Sequence, residues 1–423
     1  MLLRSSGPVG RGWLRRGAHT TPRFPCTGAT FVEGFGGYVA EQLEKAPPRT
    51  NLTAFSKALE ERFGWPRVSL TNSGSSANLA AALTLSEVVQ TKRGVALSEL
   101  HRAPVGRVLT AAFTFPSTMA SLQTAGFELY LVDTEEGGFC MSPAALGAAI
   151  ASTQDSPSPP VAVCVTHFLG FPAQLRAIAG LCRAHGLLLL QDACETMDLS
   201  VDGVPAHQHG DISAWSFYHP HHLSSFGGGA VSSPHAHYQE ITESVTHWGR
   251  LCTCHLDPQR CRAPQAMHHH FHYVRPGHNL EMSELNACFG RFQLQRWPAD
   301  ERKRLLHYDL LYGLLHSSSK RARVWAQPAD CGSPFVFPVQ VLSQDPAYVT
   351  AVQQAIIAEG VEIRSLMGGG AHGQPAWATV PHDGLPVSRR VSESSFFVGI
   401  HQTLDTENVR QVGQIIHSIL QKV

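Results

Sequence analysis

The sequence predicts an α/β fold: a mostly parallel sheet covered by helices on both faces, followed by a small C-terminal α+β unit. Three features predict it. From about residue 51, short apolar runs of strand length alternate with helical stretches. These runs are apolar on both faces, as strands between two helical layers are. After a long helix near 281–315 the pattern changes. Taken in order, Asn51–Phe63 sets Leu52, Phe55, Leu59 and Phe63 at helical spacing, with Glu and Lys on the other face. Strand-like runs follow at Arg107–Thr110, Leu129–Val132, Val161–Thr166 and Leu187–Gln191. Thr91–Pro104 reads as a polar excursion and Ser156–Pro160 as a turn-rich surface loop. The closing unit is expected from Phe335–Val341, a helix over Tyr348–Glu359, Glu362–Ser365 and a last helix over 405–421. There is no internal repeat.

Composition narrows the function. The chain has 423 residues, enough for one large and one smaller domain. Lys+Arg and Asp+Glu balance at 33 each, which gives no reason to expect a nucleic-acid partner. No apolar run approaches the ~18 residues of a membrane helix, so a soluble protein is expected. Ten cysteines in a chain this long suit reduced thiols, some of them ligands, better than a disulfide scaffold. Of the 24 histidines, several cluster between 255 and 278. Residues 1–32 carry Arg4, Arg11, Arg15, Arg16 and Arg23 and no acidic residue. That composition fits an organelle transit peptide, placing the protein in the mitochondrial matrix or another organelle; a disordered extension would leave it cytoplasmic. The expected divisions are a leader over 1–27, a large domain with its N-terminal segment over 28–315, and a small domain over 316–423.

Three segments carry chemistry. The first, Thr71-Asn72-Ser73-Gly74-Ser75-Ser76-Ala77-Asn78, is a small, hydroxyl-rich turn entering an Ala/Leu-rich helix. Such a turn offers free backbone N–H groups and a positive helix end to a phosphate, and equally reads as an ordinary helix cap. The second ends the run Leu187–Gln191 with Asp192, where α/β sheets bind ligands. A carboxylate there suits a protonated pyridine nitrogen, and equally suits a helix N-cap. The third is Ser216-Phe217-Tyr218-His219-Pro220-His221, running into Phe226-Gly227-Gly228-Gly229.

In this order, the Gly-Ser-Ser-Ala-Asn turn, the strand-end Asp and Ser-Phe before a Gly-rich run resemble the DegT/DnrJ/StrS-type sugar aminotransferases, over about residues 51–423. The resemblance implies the fold type I architecture of pyridoxal phosphate enzymes (aspartate aminotransferase-like), with a seven-stranded sheet and a small C-terminal domain. In that family a lysine four residues after the Phe anchors the cofactor as a Schiff base; here the position is His221. Imidazole has no primary amine but moves protons near neutral pH. The cofactor is then held without a covalent bond, as pyridoxamine or pyridoxal 5′-phosphate.

One branch shares this change: dehydratases that remove the 3-hydroxyl of nucleotide-linked 4-keto-6-deoxyhexoses. Its CDP-sugar members also carry an iron–sulfur cluster. The resemblance therefore implies a nucleotide-linked keto sugar as substrate, a homodimer with sites built by both subunits, and a flavin iron–sulfur reductase as electron donor. It assigns His221, Tyr218 and Glu195 to catalysis. It assigns Gly74, Ser75, Ser76, Phe115, Asp192, Ser216 and Asn279 to the cofactor, Asn279 reaching the phosphate of the neighbouring subunit. His167-Phe168-Leu169-Gly170 resembles the family's His-x-x-Gly loop. Cys194, Cys252, Cys254 and Cys261, spaced C-x57-C-x-C-x6-C, match the cluster ligands except that the last gap is one residue shorter. Four thiolates suit a 2Fe-2S cluster, and suit zinc as well. The run His268, His269, His270 and His272 could form a second metal site but, without an acidic neighbour or helical i, i+4 spacing, reads more readily as a solvated loop. Phe226-Gly227, Glu281 and Glu195 depart from the family's pattern. They leave open a non-catalytic or regulatory homologue, while the four-cysteine set argues against a second alternative, a cluster-free dehydratase.

Overall fold

The computed structural model describes residues 22–28, 32–44, 47, 49–100, 104–254, 256, 258–264, 267–318, 320–327, 332–366 and 370–422. Most of the expected leader lies outside the described residues. Its described part, 22–27, includes Phe24. Phe24 is buried against the small domain, where its N–H donates to the Gly360 carbonyl and its carbonyl accepts from Glu362 N.

Seven strands form the central sheet: β1 (Val68–Thr71), β2 (Gly106–Ala111), β3 (Phe127–Val132), β4 (Pro160–Thr166), β5 (Leu188–Asp192), β6 (Ile212–Ser216) and β7 (Gly229–Ser232). Their order across the sheet is β1-β7-β6-β5-β4-β2-β3. Only β7 runs antiparallel to its neighbours; the other pairings are parallel. Period-2 alternation divides the strand residues between two cores. Leu109, Val163 and Leu189 join one, and Val108, Ala162, Leu188 and Leu190 the other. Both faces are apolar because both are covered.

The covering helices include α1 (Phe35–Glu44), α2 (Thr50–Phe63), α3 (Gly74–Lys92) and α4 (Pro116–Thr124). The four apolar residues that predict α2 are all buried. The single long helix expected over 281–315 is two helices, α5 (Glu284–Leu294) and α6 (Trp297–Leu315). Pro298 explains the break: it fits the first turn of α6 but could not continue α5, because it lacks an N–H.

The C-terminal unit is a four-stranded antiparallel sheet of β8 (Ala322–Arg323), β9 (Phe337–Val341), β10 (Arg364–Ser365) and β11 (Ser395–Val398), in the order β8-β9-β11-β10. The last helix, α7 (Thr406–Lys422), packs along α6. Strand β11 escapes sequence reading, being four residues long and entered directly from a polar helix over Pro386–Ser394. Among the described residues no helix is long and apolar enough to cross a membrane. The parallel strands all end on one edge, and the candidate site lies there.

Candidate active site

Asp192 is the last residue of β5 and is 2% exposed. One carboxylate oxygen accepts from Thr118 Oγ1 (2.6 Å) and Asn78 Nδ2 (3.3 Å), and the other from Cys194 N (3.1 Å). No helix begins at Asp192, so the helix-cap alternative falls away. A buried carboxylate fixed by three donors is a preorganised negative charge, suited to a protonated ring nitrogen. Asn78 Oδ1, in the same pocket floor, is buried without a hydrogen-bond partner from the chain.

The phosphate-type cradle is the N-terminus of the 19-residue helix α3. Ser73 caps it, accepting from Ser76 N (3.0 Å), and Ser76 Oγ donates to Asn72 Oδ1 (2.6 Å). A side chain at Gly74 would come within 2.5 Å of Ser216 Cβ, so only glycine lets this turn approach the end of β6. Ser216 is buried and Ser75 is exposed. First-turn N–H groups and the helix dipole favour an anion at this point. Phe115 stands at the entrance of α4, whose Thr118 holds Asp192, and is 51% exposed. Asn279 is exposed; the carbonyl of its neighbour Leu280 accepts from Asn72 N (2.7 Å), at the start of the cradle turn.

His221 Nδ1 lies 2.6 Å from the Cys194 carbonyl oxygen. A carbonyl only accepts, so Nδ1 carries the hydrogen and Nε2 keeps its lone pair. Burial lowers the imidazole pKa to about 4; Arg304 adds to this, and the Cys194 carbonyl opposes it. The ring is therefore neutral at physiological pH and available as a base. It sits 5.1 Å from the Phe335 ring and 6.2 Å from that of Tyr218, which is 61% exposed at the cleft mouth. No lysine occurs between residues 93 and 302.

Glu195 is buried, and desolvation raises its pKa to about 8 against the hydrogen bond from Leu169. Its carboxyl accepts from Leu169 N (2.6 Å), a residue in left-handed backbone (φ 58°). This gives the side chain a part in holding the 167–170 turn. His167 is fully buried, its two nitrogens bonded to Gln191 Oε1 (3.0 Å) and Ala173 N (3.2 Å). Two departures from the family pattern are matched locally. Glu281 bonds to Arg49 and to His247 Nε2 (2.9 Å). Phe226, at φ 58°, stacks on Phe289 with ring centroids 3.8 Å apart.

A tight grouping forms around three of the four expected cysteines. Cys252, Cys254 and Cys261 converge, and the ligand atom that joins them is His269, all four lying within 4.8 Å of one another. Cys194 is held elsewhere. Its N–H is tied to Asp192, and its sulfur lies 3.7 Å from Asn78 Nδ2 and 4.0 Å from the Ala214 carbonyl, in the cleft floor. His269, read from the sequence as part of a solvated run, thus joins a 4.8 Å group that does not include Cys194. Sequence reading also missed Thr118 and Arg49 as site residues, and gave Asn78 no role beyond its place in the cradle turn. Thr118, three residues beyond Phe115 on a helix, carried a signal of spacing; Arg49 carried none.

Comparison with known proteins fits this geometry. Over 374 residues the chain is 27% identical to the lipopolysaccharide biosynthesis protein RfbH of Salmonella typhimurium, covering 85% of this chain and 82% of that protein. It is 27% identical over 385 residues to a dTDP-4-dehydro-2,6-dideoxy-D-glucose 3-dehydratase of Saccharopolyspora spinosa (88% and 80% covered). Among solved structures, E. coli GDP-4-keto-6-deoxy-D-mannose-3-dehydratase with bound hydrated PLP superposes with a TM-score of 0.80 at 16% identity, covering 94% of this chain and all of that one. The fold is therefore that of the aspartate aminotransferase-like pyridoxal phosphate enzymes. A model of the family matches residues 48–417, and the chain belongs to the DegT/DnrJ/EryC1/StrS aminotransferase family.

Proposed function

We propose that the protein is a pyridoxamine or pyridoxal phosphate-dependent 3-dehydratase of a nucleotide-linked 4-keto-6-deoxy sugar. The observation that carries this reading is His221, an imidazole of fixed tautomer where a transaminase needs an amine. The residues present suit the cofactor. The α3 cradle with Ser75, Ser76 and Ser216 would hold its phosphate, and Asp192 its ring nitrogen, with Phe115 against the ring face. When bound, the cofactor supplies an amine that condenses with a ketone and a ring that accepts an electron pair. The chain's own residues do the rest. His221 Nε2 takes the proton, and the bond to the Cys194 carbonyl keeps that nitrogen the basic one. Thr118 and Asn78 fix the Asp192 charge. Exposed Tyr218 is placed to meet the sugar. Asn279, exposed at the surface, is placed to serve a second copy in a homodimer.

The redox form of this reading, a 2Fe-2S cluster fed by a flavin iron–sulfur reductase, needs Cys194 beside the other three thiols. Cys194 lies outside the 4.8 Å group of the other three thiols and His269, and no step is routed through a cluster. The matched pairs at Glu281 and Phe226 favour a working site over a degenerate one. Incubation with pyridoxal phosphate and borohydride, then peptide mass spectrometry, tests the reading. No pocket residue should be labelled, and His221→Lys should gain a label at 221. Labelling of the native pocket, or transamination of a keto sugar with glutamate by the native chain, would overturn it.

A further inference from the structure

We infer that Cys252, Cys254, Cys261 and His269 form a closed tetrahedral site for one zinc ion. The inference rests on the loop between His247 and Leu280 alone, and not on the proposed reaction.

The first argument is distance. Ligands around one zinc, at about 2.3 Å for sulfur and about 2.0–2.1 Å for nitrogen, lie roughly 3.5–3.8 Å apart when tetrahedral. Cys252 and Cys261 sulfurs are 3.8 Å apart, and Cys254 Sγ is 3.4 Å from His269 Nε2. All four donor atoms fall within 4.8 Å of one another. A two-iron centre divides its terminal ligands between two metals and spreads opposite pairs farther. This grouping encloses a single ion.

The second argument is need. Among the described residues of 250–280, only Cys252 and Ala263 are buried, whereas Met267, Phe271 and Tyr273 are exposed. The described residues of the loop hold no helix or strand beyond two short turns, at Pro258–Arg260 and His269–Phe271. A segment of this length without a core of its own needs a cross-link. Backbone pairing prepares one. Leu251 N donates to the His272 carbonyl (2.9 Å) and Val274 N to the Gly249 carbonyl (2.9 Å), setting 252–254 opposite 269–271. A Cβ at Gly249 would strike the Arg275 carbonyl, so the two sides close to backbone contact. His270 Nδ1, 3.2 Å from Cys252 Sγ, is placed as a hydrogen-bond donor to a bound thiolate.

The test is elemental and sulfide analysis of the full chain made in medium replete in both zinc and iron and purified without oxygen. The expected result is about one zinc per chain and no acid-labile sulfide. Cys194→Ser should keep the zinc, and His269→Ala should lose it. If His269→Ala fails to fold, His269→Cys should bind zinc, and its cobalt-substituted form should show a stronger thiolate-to-cobalt band than the native one. Iron with sulfide in the native chain, loss of metal from Cys194→Ser, retention of zinc by His269→Ala, or no metal at all would each overturn the inference.

Discussion

The cofactor cleft and the cysteine–histidine loop both join residues distant in sequence, but they are held by different means. The cleft inherits its geometry from the sheet. Asp192 and Ser216 end neighbouring strands, α3 and α4 start beside them, and hydrogen bonds among Thr118, Asn78 and Asp192 lock the floor. Removing one side chain there changes chemistry before it changes shape. The loop over 250–280 has almost nothing buried to hold it, so its shape depends on the four groups that converge in it. One family fold thus contains a site supported by its scaffold and a site that must support itself.

The largest expected effect follows from that contrast. His221→Asn removes the base and leaves the sheet untouched. Turnover of the 4-keto sugar should fall about 10²- to 10⁴-fold, with cofactor affinity, melting temperature and metal content unchanged. A comparable loss of stability would mean that the cleft is not scaffolded as described. The loop should respond in the opposite sense. A strong zinc chelator should expose Arg250, Arg260 and Arg262 to trypsin, while pyridoxal phosphate binding changes by less than about twofold. Equal sensitivity of both regions would erase the distinction between them.

The same contrast explains what the sequence made legible. Strand ends and the Ser-rich turn lie in short, ordered segments, so local reading singled out the segments that hold Gly74, Asp192 and Ser216, and the family resemblance then pointed to His221. The metal set could not be read in this way. Cys194 sits at the strand end that a shared cluster would use, and spacing alone attaches it to the other cysteines. Its place is decided by the direction of one side chain, which Asn78 and Asp192 fix from within the cleft. His269 enters the set through backbone pairing across a loop, for which no periodicity exists. Arg49 was hidden for a similar reason, since its partner Glu281 lies 232 residues away.

Arg49 gives a smaller test on the border between the two regions. Burial would raise the Glu281 pKa, but bonds from His247 and Arg49 outweigh it and hold the carboxyl near 2. Arg49→Ala should cost about 1–2 kcal/mol in urea unfolding. A carboxylate lowered in this way contributes stability above its ordinary pKa of 4.5, lost as pH falls through about 2. The difference between variant and parent should therefore be full at pH 7 and shrink in acid. A difference that stays constant down to pH 2 would show that Arg49 acts through packing and not charge.

The smallest expected effect is a rate that hardly moves. An ordinary histidine base, with a pKa near 6.5, would lose about half its active form on going from pH 8 to 6.5. Burial has brought His221 to about 4, with the Cys194 carbonyl still bonded to Nδ1. The sign is set by which form works: the base is the neutral ring, populated above its pKa. Between pH 6 and 8, kcat/KM for the keto sugar should thus vary by less than about twofold from this group, and the acid limb should appear only near pH 4. Exposing the ring should undo this. Phe335→Ala removes a ring packed 5.1 Å from His221, admits water, and should move the acid limb up toward 6.5 with the Nδ1 bond kept. A native limb already at 6.5 would mean that the imidazole is solvated in the working enzyme, and that burial by the sheet does not set its basicity.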